Sequence, residues 1–211
     1  MAAGAKPRAT RWAGMNKAQD MIETVAEAEQ AVTHKAAAHD DNVFVRAAGK
    51  ASEVADQPPL IALSAATILV GLVMRRPAVL RSGVRMLASH LVATGIKSAL
   101  KNSIDRTRPS RALDEGHYLG KGTGADDTSL NSFPSGHTAG AVAVAQAVAT
   151  ESTAVGLPLQ AAALGVAALQ PSRGKHYLSD VAAGAVIGWM SERLTNAVLE
   201  QAERRLPWIR Q

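Results

Sequence analysis

Hydrophobic and polar positions divide this 211-residue chain into a charged head and an apolar body. In residues 15–38 (MNKAQDMIETVAEAEQAVTHKAAA) Ala, Met, Ile and Val recur at three- and four-residue spacing among charges, which predicts an amphipathic surface helix. The Pro58-Pro59 pair breaks the chain, and no charge occurs from Gln57 to Met74. Arg75, Arg76, Arg81 and Arg85 follow, then a second apolar segment from Met86 to Leu100, interrupted by His90 and Lys97. Residues 109–132 are rich in Gly, Asp, Ser and Pro and lack periodicity, so they are expected to form the one long loop. Three further helices are expected at about 136–150, 154–170 and 177–200, with short separators at 151–153 and 170–174. Strand-type alternation is scarce and Ala dominates, so the fold class expected is an all-α helical bundle. The division expected is a charged, amphipathic N-terminal region over 1–57, a helical domain over 58–200 and a basic tail over 201–211.

A membrane span needs about 20 mostly apolar residues. The uncharged intervals are 57–74, 128–150, 152–172 and 181–191. Some reach that length, and Gly, Ala, Ser and Thr dominate them, as in membrane helices that pack closely. Several transmembrane helices are therefore expected; a compact soluble all-α domain with an Ala-rich core is the alternative. The mean hydropathy of −0.00 then averages two unlike regions. The first 20 residues hold no apolar stretch after the basic start, so no secretory signal is evident. The net charge of +5 comes from 23 basic and 18 acidic residues, and the excess lies beside apolar segments instead of among aromatics. Nucleic-acid binding is not expected. The chain has no Cys, which excludes disulfide scaffolds, Cys-ligated metal sites and a thiolate nucleophile.

The candidate chemistry sits at the ends of the apolar segments. Lys101 and Arg108 place two cations at a helix end before Pro109, an arrangement suited to a multiply charged oxyanion. Pro134-Ser135-Gly136 opens a helix, so the N–H groups around Ser135, Gly136 and His137 form an anion site. Ser135 can add its hydroxyl, and His137, in the first turn, can protonate a leaving oxygen. His176 and Asp180 are four apart and share a helix face, so the carboxylate can hold one imidazole nitrogen and leave the other free to attack. Arg173 stands just upstream. If the helices at 138–150 and 154–170 cross in opposite directions, all these groups finish on one side. No carboxylate cluster suggests a metal, and the adjacent acids Asp126-Asp127 are expected to be solvated. His34, His39, His90 and His117 are expected to be structural or solvated, His117 being the one most open to another role because its loop lies near the site. Lys97 and Asp105 read as pocket neighbours or local helix-end charges, and Lys175 as a further substrate contact.

Lys101-x6-Arg108-Pro109, Pro134-Ser135-Gly136-His137 and Ser172-Arg173…His176-x3-Asp180 resemble, in order, the three signature motifs of the type 2 phosphatidic acid phosphatase (PAP2) superfamily. That superfamily also includes bacterial acid phosphatases and vanadium haloperoxidases. The resemblance covers about 60–195. It implies an all-α enzyme without metal or cofactor that hydrolyses a lipid phosphate or diphosphate of the phosphatidate, phosphatidylglycerophosphate or prenyl diphosphate class. It implies His176 as the nucleophile of a phosphohistidine, Asp180 as its orienter and His137 as the acid. Lys101, Arg108, Ser135, Gly136 and a third-motif arginine would bind phosphate. The family pattern puts that arginine at position 170, where this chain has Gln170, so Arg173 is expected to take the contact. The alternatives are a vanadate-dependent haloperoxidase, a soluble non-specific acid phosphatase, and a non-enzymatic membrane protein with a vestigial anion site. Arg75, Arg76, Arg81 and Arg85 lie opposite the site, which implies a multi-pass inner-membrane protein with extracytoplasmic catalysis.

Overall fold

The computed structural model describes residues 24–38, 42–116, 118–124 and 127–205, with the backbone alone for 113–115. The start of the amphipathic head, His39, His117, Asp126 and the end of the tail lie outside the described residues. Residues 24–37 are helical (α1), and α2 spans Val43–Ser52, capped by the Asn42 side chain on the Phe44 N–H. A 3₁₀ turn, Glu53–Ala55, leads to α3, Gln57–Val73. Asp56 accepts from the Gln57 N–H, and prolines occupy the first turn of α3, where no intrahelical donor is needed. Arg75 adopts φ 49°, and the chain reverses into α4, Pro77–Ser103.

Of the four arginines between the two apolar stretches, Arg75 and Arg76 lie in the turn before α4, and Arg81 and Arg85 do not interrupt that helix. Arg81 and Arg85 both pair with Glu151 of the next long helix, and the buried Arg85 also contacts Glu203 and Asn196. An ion pair satisfied inside the bundle lets the helix run on through charged positions.

The expected loop contains structure. Strand β1, Ile104–Arg106, pairs antiparallel with β2, Leu119–Lys121, and α5, Pro109–Glu115, lies between them. Three-residue strands are too short to show alternation. The remaining helices follow expectation closely: α6 Gly136–Glu151, α7 Thr153–Ser172 and α8 Leu178–Arg205. The fold is an all-α bundle with one small sheet.

Helix α6 is central and packs against α4, α7 and α8. Its Ala139, Ala143 and Ala147 are almost fully buried, and their small side chains let the neighbours approach closely. Leu60, Met86, Val144 and Val148 form one apolar cluster, and Ala93, Ala139, Ala143 and Ile187 another. Helix α8 touches the start of α6 at Gly184, where an added Cβ would lie 2.5 Å from the Ser135 carbonyl oxygen. That bare position fixes the spacing between two of the three motifs.

Among the described residues, α7 alone is long and apolar enough to cross a membrane by itself. The segments Val43–Ala55 and Gln57–Val73 pass the same test together, with a 54° bend between them. The uncharged interval 128–150 divides into loop and the buried, 16-residue α6, which is shorter than a full span.

Candidate active site

The C-terminal end of α4, the N-terminal end of α6 and the α7–α8 connection meet in a cleft of about 270 Å³, lined by Glu53, Asp56, Lys97, Lys101, Arg108, Gly136, His137, Lys175 and His176. Helices α4 and α6 supply cations and free N–H groups respectively because α4 arrives at this end and α6 departs from it. Lys101 donates to the Asn131 carbonyl at 2.6 Å. Burial, with Arg108 and Lys97 beside it, pushes its ammonium down to about 8. The Arg108 Nε is buried without a hydrogen-bond partner, an orphan donor at a site built for an anion.

Ser135 takes up the cap of α6. It is fully buried as the N-cap of α6, its hydroxyl accepting from the Thr138 N–H and bonded to the Thr138 hydroxyl at 3.0 Å. Its own N–H donates to the Asp180 carbonyl at 3.0 Å. Gly136 and His137 face the cleft, and the first N–H groups of α6 have no partner within the helix.

His176 is buried, and its Nδ1 lies 2.6 Å from the Ser132 carbonyl oxygen. A carbonyl only accepts, so Nδ1 carries the proton and Nε2 is the nitrogen available to the cleft. Burial pushes the imidazole well below its ordinary value, and the cations of Lys101 and Arg108 push it further, which keeps the ring neutral. Asp180 does not hold the ring directly: its carboxylate lies 3.9 Å from Nδ1, beyond a hydrogen bond. It accepts instead from the Ser132 hydroxyl at 2.6 Å and the Tyr177 N–H at 2.8 Å. Asp180 thus fixes Ser132, whose carbonyl orients His176. Its other oxygen pairs with Arg106 at 2.6 Å, and Arg106 stacks over Tyr177 and reaches Glu29 of α1 at 2.9 Å.

Arg173 stands outside the cleft lining. Its guanidinium is engaged by Glu53, and by the Ser52 hydroxyl at 2.8 Å. Gln170 is fully buried, donates to the Val166 carbonyl of its own helix, and is absent from the cleft lining. Lys97 and Lys175 both line the cleft. Asp105 turns away and accepts from Thr123 at 3.0 Å. The buried His90 packs under the start of α6 beside Gly140. Among the described residues, Glu53, Asp56 and His137 bring one ligand atom each within 4.8 Å of one another, a spacing a metal ion can bridge. Arg173 and Lys175 already neutralise the Glu53 carboxylate there.

The motif residues and the helical frame carry the identification, because the family model for the PAP2 superfamily matches residues 82–204, more than half of the chain. The chain belongs to the PAP2 superfamily. Two solved structures resemble it. A transmembrane PAP2-type phosphatidylglycerolphosphate phosphatase from Bacillus subtilis aligns with a TM-score of 0.61 and 18% identity, covering 84% of this chain and 87% of that one. LpxE from Aquifex aeolicus aligns with a TM-score of 0.59 and 17% identity, covering 79% and 93%. A search of curated protein sequences gives no match. At such identities the likeness is one of fold, and it covers more of the chain than the family match does. The site residues outside the motifs' named positions are Lys97, Ser132, Arg106, Glu29, Glu53 and Asp56. Only the basic character of Lys97, one turn before Lys101, pointed to any of them in the sequence.

Proposed function

We propose that this PAP2 protein hydrolyses a lipid phosphate or diphosphate through a phosphohistidine on His176. The observation that carries the reading is the neutral His176, held through Nδ1 by the Ser132 carbonyl, in one cleft with Lys101, Arg108, the N-terminal turn of α6 and His137. Nε2 of His176 attacks phosphorus while the phosphoryl oxygens rest on Lys101, Arg108, Lys97 and the α6 N–H groups. The ester P–O bond breaks, and His137 gives its proton to the departing oxygen. Water then attacks the phosphohistidine with His137 as base, which releases phosphate and restores both rings. The mechanism uses no metal, and activity retained in chelator tests that part of the reading.

The lipid class rests on apolar surface. Leu63, Leu69, Val70, Leu72, Val73 and Met74 on α3 are exposed, as are Val155, Leu157 and Leu164 on α7 and Val186, Trp189, Met190, Leu194 and Val198 on α8. Such a surface belongs against acyl chains. Arg75 and Arg76 at the α3–α4 turn and Arg204 and Arg205 at the end of α8 stand opposite the cleft. This distribution supports a cytoplasmic end there and a cleft on the other face. The test is phosphate release by detergent-purified protein from phosphatidate, phosphatidylglycerophosphate and prenyl diphosphates. Release abolished in His176→Ala is expected; equal release by both proteins, or none from any substrate, overturns the proposal.

A further inference from the structure

Glu53 lies outside every PAP2 motif, on the turn between α2 and α3, yet its carboxylate is inside the cleft. One oxygen accepts from Arg173 and, at 3.2 Å, from Lys175; the other lies 3.3 Å from Nε2 of His137. Two explanations compete for a carboxylate in a phosphate site. It could be an internal anion that substrate must displace, or a fixed part that places the groups around it. The surroundings of Arg173 decide between them. Ser52 is buried, donates to the Gly49 carbonyl at 2.7 Å and accepts from Arg173. Gly49 is also buried, and a Cβ added there would lie 3.1 Å from the Arg173 Nε. A displaceable anion needs only a carboxylate. Here a bare backbone position, an oriented hydroxyl and a carboxylate together form a seat for one guanidinium.

We propose that Glu53 is a positioning residue, which anchors Arg173 at the edge of the cleft and holds His137 by Nε2 as the imidazolium that protonates the leaving oxygen. The proposal rests on the phosphatase reading above. With the Nε2–H donated to Glu53, the proton transferred is the one on Nδ1. The nucleophile's N–P bond forms, the ester P–O bond breaks, the leaving oxygen gains the Nδ1 proton, and His137 finishes neutral with its Nε2–H still on Glu53. The charged and titratable groups that share the cleft with His137 are Glu53 and Asp56 from the α2–α3 turn, Lys97 and Lys101 from α4, Arg108, and Lys175 and His176 from the α7–α8 connection. Of these, Glu53 alone makes a direct contact with the ring. Burial pushes the His137 ring below its ordinary value, and the carboxylates of Asp56 and Glu53 oppose that push, so loss of the Glu53 charge makes the imidazolium easier still to deprotonate.

The experiment uses full-length protein in detergent with isotope-labelled histidine. In Glu53→Gln the His137 ring is expected to titrate about one pH unit lower than in wild type. The alkaline limb of kcat/KM moves down with it, kcat falls about tenfold for a one-unit loss, and Glu53→Asp restores part of both. Ser52→Ala, which loosens Arg173 and leaves the Glu53–His137 contact in place, leaves the His137 titration unmoved. An unmoved His137 titration in Glu53→Gln overturns the proposal, as does a lower KM with higher turnover, the signature of a displaceable anion. If wild type releases no phosphate, the phosphatase reading fails, and the His137 titration still decides whether Glu53 holds the ring.

Discussion

The two histidines of the cleft are held by different kinds of structure. His176 is enclosed by α4, α6 and α8, and its contact is a backbone carbonyl, itself fixed by a fully buried aspartate. His137 leans on a side chain from the N-terminal arm, and that Glu53 side chain is 43% exposed. A backbone contact in a buried site does not screen or titrate, whereas an exposed carboxylate does both. The nucleophile is thus set by the fold of the bundle, and the acid by an element that solution conditions can reach.

Replacing the enclosed side of this pair should do the most harm. His176→Ala removes the nucleophile and should lower phosphate release by roughly 10³-fold or more; a phosphate-release assay with circular dichroism checks that the fold persists. Asp180→Ala should act on stability, because it strands the buried Arg106 and frees Ser132. A loss of about 3–5 kcal/mol in chemical or thermal unfolding is expected, with Glu29→Gln costing less. Acid should also attack the enclosed side. The folded His176 imidazole lies well below its ordinary value, so the stability it provides is present above an unfolded value of about 6.5 and is lost as pH falls below it. Unfolding temperature should drop with pH in that range, and less steeply in His176→Asn.

The cations grade the comparison more finely. Lys101 in the empty cleft loses its charge above about 8, so KM should rise by up to about tenfold per pH unit beyond that point. Lys101→Arg should abolish this rise, because a guanidinium stays charged. Lys175 is partly exposed, and Lys175→Ala should cost about 1 kcal/mol or less. That amounts to a few-fold change in KM, diminishing in high salt; a larger, salt-insensitive effect would place Lys175 on the enclosed side.

The helices and the convergence of the three motif regions were legible because both depend on local pattern. Periodicity marks α6, α7 and α8, and two antiparallel crossings place Gly136 and Arg173 at one end. Partners distant in the chain were not legible. Arg106 meets Glu29 and Asp180, 77 and 74 residues away, and no local signal links them. The same applies to Glu53 and Arg173, 120 residues apart. Ser132 acts through its carbonyl, which every residue possesses, so its side-chain type carried no clue. Arg81 and Arg85 looked like membrane-edge charges until the structure paired them with Glu151 inside the bundle. Ser135 read as a phosphate ligand because a serine at a helix start suits an anion and a cap equally, and burial selected the cap.

The bare contact at Gly184 gives this PAP2 family member a control point one turn beyond Asp180 and outside the cleft lining. Helix α8 carries Asp180 and follows directly on His176, while the strand of chain ending in Ser135 precedes His137, and the two are separated there by the absence of one methyl group. A mutation to Ala at this position would change the gap between acid and nucleophile without altering any group that touches phosphate. Laboratory evolution that selects for a larger or smaller headgroup would therefore find variants at this buried helix crossing, where residues set the cleft's width as a spacer sets the jaws of a vice.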